Sequence, residues 1–259
     1  MHPTYRGVAE MIRAWITRGD YGPGDRLPTH QEIADKLGTT RQTVVTAIKT
    51  LSQEGLVQTG GSRGTWVRER IVFTTDVTSY DAVEHPRPDG IDAFNTAVTK
   101  DGRVPSTQFQ MHIGPAPHEV ATRLGCNTDE LVCIRSVLQL VDSHPWSRAT
   151  SYYPMDLARE CGLDTPHDIA EGTVRRMASH GYIEAGDLNE VETRPPTADE
   201  ARDLGASDGT SVLIWTRTAA TDERITRVSM STLPGDRNAM QFHQGATNAI
   251  NVIMNARKA

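Results

Sequence analysis

Arg41, Gln42 and Thr43, with Thr46 and Lys49 further on, are the residues of this chain whose types and spacing suit chemistry with a polyanion. A guanidinium and an amide at the start of a helix are side chains that read base edges in the major groove of DNA, and a lysine beside them adds a charge for phosphate. The spacing predicts that all five share one helix. Val44, Ala47, Ile48 and Leu51 recur at helical period and form an apolar face, which leaves the polar residues on the opposite side. Gly38 closes a preceding helix, Thr39 or Thr40 offers a hydroxyl to the orphan amides of the new one, and Gly55 stops it.

Other elements are needed to position that helix. Tyr5, Val8, Ala9, Ile12, Trp15 and Ile16 predict an amphipathic first helix that ends before Gly19. The tight connection YGPGDRLP follows, and Thr29-x-x-Glu32 is a capping box that starts a second helix running to Leu37. Two helices separated by a turn as short as Gly38-Thr39-Thr40 are the geometry of a helix-turn-helix. Leu56–Thr59 and Thr65–Arg68 read as a β-hairpin joined by a glycine-rich turn, a wing with Arg63 at its tip beside Gly64. An arginine so placed suits a narrow minor groove.

The run from Pro23 to Val67 resembles the N-terminal winged helix-turn-helix of the GntR family of bacterial transcription regulators. The resemblance rests on PGDRLP, the Leu-Gly before the third helix, TRQTV, EGL and the GTWV strand. It implies binding to a double-stranded DNA operator, with Thr29, Gln31, Thr40, Arg41, Gln42, Thr43, Lys49, Arg63 and Gly64 at the DNA. The sequence departs from the family at Gln31, where an arginine that contacts DNA is usual, so the operator is not to be read from relatives.

The whole chain of 259 residues is 37% hydrophobic and 23% charged, a globular composition. No apolar run is long enough to span a bilayer, and the N-terminus lacks the apolar stretch of a secretion signal. Cys126, Cys133 and Cys161 have no metal-ligand spacing and read as free thiols of a cytoplasmic protein. The net charge of −6 is uneven. Residues 1–70 carry ten basic and seven acidic residues, and the acidic excess lies beyond them. That asymmetry points to a polyanion partner for the first part alone.

Four parts are expected: residues 1–70, a linker at 71–92 with one β segment at Ile71–Phe73, a domain at 93–243, and a tail at 244–259. The 93–243 stretch repeats itself at an offset of eighty positions. Ala121, Leu124, Gly125, Val132, Ile134, Asp142, Ser151 and Pro154 recur as Ala201, Leu204, Gly205, Val212, Ile214, Asp222, Ser231 and Pro234. Each copy reads as a short helix, a glycine stop and two β-rich runs, Leu131–Val141 with Trp146–Tyr153 and Val212–Ala220 with Ile225–Leu233. A helix is expected over 166–181 between the copies. Two such units pair into one antiparallel sheet with helices, an α+β domain.

This part resembles the UTRA ligand-sensing domain of the HutC branch of GntR regulators, whose fold is like chorismate lyase. The matching features are the Arg135 strand, Pro145 with SYYP at 151–154, and the Gly235-Asp236-Arg237 run. The resemblance implies a small-molecule effector between the two halves, with Arg135, Arg148, Ser151, Tyr153 and Arg227 as candidate contacts. Relatives that bind sugar phosphates have acids where this chain has Ala149, beside Arg148, and Arg227. Arginines in place of acids favour an anionic effector, whereas an internal salt bridge from an inward arginine to Glu184, Glu190 or Glu192 is the structural alternative.

The chain lacks G-x-S-x-G, GxxxxGK[ST], H-E-x-x-H and Cys-x-x-Cys, so neither an enzyme nor a cofactor is expected. The reading is an effector-responsive repressor, a homodimer on an inverted repeat because one recognition helix reads only a half-site. Ile250, Val252, Ile253 and Met254 are candidates for the dimer contact. A lyase-like enzyme carrying a DNA-binding module, or an adaptor that uses its winged helix on protein, are the alternatives.

Overall fold

The computed structural model describes residues 3–60, 64–69, 71–77, 93–206 and 209–256. The chain divides into two compact units, Met1–Ile71 with Pro195–Ser211, and Val72–Arg194 with Val212–Ala259.

In the first unit, helix α1 (Tyr5–Thr17) starts on Thr4, whose hydroxyl accepts from the Gly7 amide. It buries Val8, Ala9, Ile12 and Trp15, while Tyr5, expected on that face, is exposed. Helix α2 (His30–Leu37) begins with the expected capping box: Glu32 N–H donates to Thr29 Oγ1, and Thr29 N–H to Glu32 Oε2 at 2.7 Å. Gly38, at φ 62°, ends it in the left-handed conformation that glycine adopts without a Cβ penalty. Helix α3 (Arg41–Gln53) is capped by Thr40 and buries Val44, Ala47, Ile48 and Leu51 against α1 and α2. Strands β1 (Val57–Thr59) and β2 (Thr65–Val67) pair antiparallel as the wing. Residues 24–27 run along the outer side of β2, through Gly24 N–H to Val67 O, Val67 N–H to Asp25 O and Leu27 N–H to Thr65 O. Leu27, Val57 and Val67 thereby join the core of the three helices.

The second unit is built on a six-stranded antiparallel sheet. Its strands are β4 (Pro105–Pro115), β5 (Leu131–Val141), β6 (His144–Pro154), β7 (Gly186–Arg194), β8 (Val212–Ala220) and β9 (Ile225–Pro234), in the order β4-β5-β6-β9-β8-β7. Helices α5 (His118–Leu124) and α8 (Ala198–Leu204) occupy matching places in the chain, between β4 and β5 and between β7 and β8. The repeat seen in the sequence is kept in the register. Val132 opposes Pro154 and Ile134 opposes Tyr152 in one hairpin, as Val212 opposes Pro234 and Ile214 opposes Thr232 in the other. The two halves meet at β6 and β9, where Thr150 opposes its repeat counterpart Met230. An approximate two-fold axis passes there.

Four expectations change. The sheet has six strands, because β4 and β7 add an edge to each half. The helix expected over 166–181 is only α7 (Thr173–Ser179), since Gly172 at φ 82° lies outside the helical region, although Ile169 is still buried from the loop before it. The β segment expected at Ile71–Phe73 is β3 (Phe73–Asp76), parallel to β10 (Asn238–Gln241). Most of the expected linker lies outside the described residues. The β5–β6 turn is tighter than expected: Asp142 (φ 50°) and Ser143 (φ 66°) form a two-residue connection of the type that matches strand twist, and Pro145 is already in β6.

One face of the sheet packs α5, with Val120, Ala121 and Leu124 on Ile134 and Val228. The other packs helix α6 (Met155–Glu160) and α7, with Leu157, Leu163, Ile169 and Met177 around Cys133 and Tyr153. Helix α4 (Ala93–Lys100) brings Phe94 edge-on to Phe73, which lies 5.0 Å from Trp146. Helix α9 (Thr247–Ala256) leaves Val252 and Ile253 exposed.

Candidate nucleic-acid interface and effector site

The start of α3 presents Arg41 and Gln42 to solvent, with Lys49 two turns on. Thr43 is half-buried, its hydroxyl 2.8 Å from that of Thr40. Thr40 and Thr29 are therefore occupied as helix caps, and what they do first is fix the starts of α3 and α2. Gln31 donates from Nε2 to Asp35 Oδ1 at 2.8 Å, which ties down its amide nitrogen. Arg63 lies outside the described residues. Gly64 is described, at φ 87°.

These elements enclose an open groove of about 470 Å³ between α2, the start of α3 and the wing. Thr29, Gln31, Arg41 and Gly64, all expected at the DNA, line it together. Among the lining residues absent from that expectation are Arg26 and His30. Arg26 bridges to Trp66 of β2, a pairing that exists only once the wing has folded. His30 Nε2 lies 3.4 Å from Thr65 Oγ1. Burial, then the neighbouring charge of Arg41, hold the His30 imidazole below its ordinary 6.5, so it favours the neutral form.

In the second unit the register sorts the five expected effector contacts. Arg135 opposes Ser151 and Ser151 opposes Ser229, so these share the face of Tyr153 and Arg227. Arg148, opposite Leu138 and Thr232, falls on the other face. Four of the five share one face, and Arg148, although on the other face by register, is among the residues lining the cavity under Phe73 and Phe94.

The arginines of that face are already engaged. Arg135 is 4% exposed and donates to the carbonyl oxygens of Leu163 (2.7 Å), Thr165 (3.2 Å) and His167 (3.1 Å), with its guanidinium over the Phe109 ring. It does not meet Glu184, Glu190 or Glu192. Arg227 takes Glu184 instead, in a two-pronged pair with Nε to Oε1 at 2.8 Å and Nη2 to Oε2 at 3.0 Å, and Thr226 donates to the same carboxylate. Ser151 and Ser229 hydroxyls lie 2.8 Å apart, and Arg227 Nη1 donates to Ser229. Tyr153 donates to Thr173, and burial pushes its phenol up.

On the next row of the same face, Ala149 opposes Ser231. With Gln139, Ser147, Trp215 and Leu233 they form the floor of a cavity of about 120 Å³, walled by Phe73–Asp76 and by Phe94 and Ala97 of α4. Trp215 and Arg135 are repeat counterparts, so this face offers an aromatic surface in one half where the other has a guanidinium. The aromatic wall escaped the sequence reading because Phe73 and Phe94 come from outside the repeat. Among the described residues no cluster of His, Cys, Asp and Glu could hold a metal ion, and no helix is long and apolar enough to cross a membrane.

Residues 4–67 match the family described as bacterial regulatory proteins, gntR family, and residues 100–239, more than half the chain, match the UTRA domain. A winged helix with an exposed recognition helix, followed by this sensing domain, defines an effector-responsive DNA-binding transcription regulator. The chain is similar to the HTH-type transcriptional regulator SCO4628 of Streptomyces coelicolor, 28% identical over 93% of this chain and 92% of that one. It is also similar to the HTH-type transcriptional repressor NagR of Bacillus subtilis, 26% identical over 83% and 84%. A crystal structure of a GntR-family transcriptional regulator, 27% identical, superposes with a TM-score of 0.65 over 95% of this chain and 98% of that one. The chain belongs to the GntR family, with the UTRA architecture of its HutC branch.

Proposed function

We propose that the protein is a cytoplasmic repressor that binds an inverted-repeat operator as a homodimer and leaves it when a small molecule occupies the second unit. It is a binding protein and not an enzyme. The observation that carries the reading is α3, which buries Val44, Ala47, Ile48 and Leu51 and turns Arg41, Gln42 and Lys49 outward from a capped start. Repression is supported by the similarity to NagR, and dimerisation by the single recognition helix in each chain. In this reading the DNA-binding domain is 1–70 and the effector domain 93–243, as expected from the sequence.

The effector sits on the Ser151–Ser229 face, between Arg135, Tyr153 and Arg227 at one end and the cavity under Phe73 and Phe94 at the other. An anionic group reaches Arg135 only by displacing the Leu163, Thr165 and His167 carbonyl oxygens, and Arg227 only by displacing Glu184. Ligand occupancy is thereby coupled to the 163–167 loop. Regulation requires different effector affinity in the DNA-competent and DNA-incompetent states, typically about 1–3 kcal/mol. The test is a gel shift on the operator selected by the protein from random duplexes, titrated with metabolites of the genes beside that operator. A ligand that raises the melting temperature yet leaves operator affinity unchanged refutes the switch, and turnover of a ligand refutes the non-enzymatic reading. Sedimentation of a monomer on a single asymmetric site refutes the dimer.

A further inference from the structure

The groove between α2, α3 and the wing contains a cation that the helix-turn-helix spacing does not place there. Arg26 precedes α2 and is exposed. Its backbone is held to the wing on both sides, by Val67 N–H to Asp25 O and Leu27 N–H to Thr65 O. Its side chain crosses the wing at Gly64. A Cβ built on Gly64 would come within 3.0 Å of Arg26 Nε and Nη2, so the absence of a side chain at Gly64 makes room for this guanidinium. No ion pair is formed by Arg26 among the described residues. The Glu32 carboxylate, which feels its charge, is held by Thr29 in the capping box; those hydrogen bonds, more than the charge of Arg26, lower its pKa. On the facing side of the groove, α2 offers the neutral His30 and a Gln31 whose amide is tied to Asp35. Among the described residues lining this groove, the positive charge therefore comes from Arg41 and Arg26.

We propose that Arg26 binds a phosphate of the DNA backbone where the wing approaches the duplex, and so supplies the charge that α2 does not. Its position on the strand-like run beside β2, away from the base-reading start of α3, gives it a backbone target. The guanidinium fork matches phosphate oxygens in a way an amide does not. The contact is independent of base sequence and adds to affinity through counterion release.

The experiment uses the full chain and two fluorescent duplexes, one selected by the wild-type protein from a random pool and one scrambled duplex of equal length. Affinities are measured between about 50 and 200 mM salt. Arg26→Ala is expected to lower the slope of log K against log salt by about 0.9 for each bound chain on both duplexes, and to weaken both by the same factor. Arg26→Lys retains the slope and Arg26→Gln, with a similar stem and no charge, loses it; this pair decides the matter if Arg26→Ala proves unstable. An unchanged slope in Arg26→Gln makes the residue a structural part of the wing and overturns the proposal. A loss confined to the selected duplex makes it a base contact and overturns it equally.

Discussion

Removing the Glu184 carboxylate is the most decisive single perturbation of the second unit. Its side chain and that of Arg227 are 7% and 6% exposed, so neither charge has water to fall back on. Three donors converge on it: Arg227 Nε and Nη2, and the Thr226 hydroxyl at 2.8 Å. Thr226 also donates to Ala219 O at 3.1 Å and retains a partner when the acid is lost. Arg227 retains its contact to Ser229 at 3.2 Å, which carries no counter-charge. Glu184→Ala thus leaves a buried guanidinium without its counter-charge, a change that costs about 3–5 kcal/mol. Glu184→Ala with Arg227→Met removes both charges and recovers most of that loss. The readout is urea unfolding followed by Trp146 and Trp215, which lie in this unit, in a background with Trp15 and Trp66 changed to Phe. With a slope of about 2 kcal/mol/M, the single variant loses about 2 M in midpoint. A loss below about 0.5 M, or a double variant no better than the single, shows that water reaches the pair and refutes the reasoning.

Arg41→Ala is expected to cost about 1–3 kcal/mol of discrimination at one operator position if the guanidinium reads a guanine, measured by competition with singly substituted duplexes; equal affinity for operator and random DNA in wild type and variant removes Arg41 from the interface. Cys133 and Cys161 are buried, and burial pushes the Cys133 thiol up to about 11. One thiol, Cys126, should therefore react with a disulfide reagent at pH 8 in the native protein and three in denaturant. Labelling of Cys133 under native conditions contradicts this. His30 is held below 6.5 in the folded state, so its stabilising contribution is complete above that value and is lost as pH falls through the folded pKa. His30→Gln should flatten the acid side of the stability curve of the first unit, and parallel curves for the two proteins refute the assignment.

The sequence alone determined the elements whose own residues carry their signal. The three helices of the first unit were legible because capping at Thr29 and Thr40, the stop at Gly38 and the apolar faces are local features. The repeat was legible because two copies of one sheet half must bury the same positions. Strands β4 and β7 were missed because each is an edge with few buried residues: β7 has neither alternation nor an apolar run, and in β4 the alternation is confined to Phe109, Met111 and Ile113. The shortening of the 166–181 helix was equally hidden, since Ile169 is buried whether helical or not.

The candidate sites divide along the same line. Arg41 and Gln42 face outward because the apolar face of their own helix leaves them no other direction. The fate of Arg135, Arg227 and Arg26 was decided by tertiary structure. Alternation along a strand gives the face of a charged side chain but not what lies across from it. For Arg135 that is a loop of carbonyl oxygens, for Arg227 it is Glu184, more than forty residues away, and for Arg26 it is the bare backbone of Gly64. A buried charge is settled by its partners, and those partners are distant in the chain and adjacent only after folding.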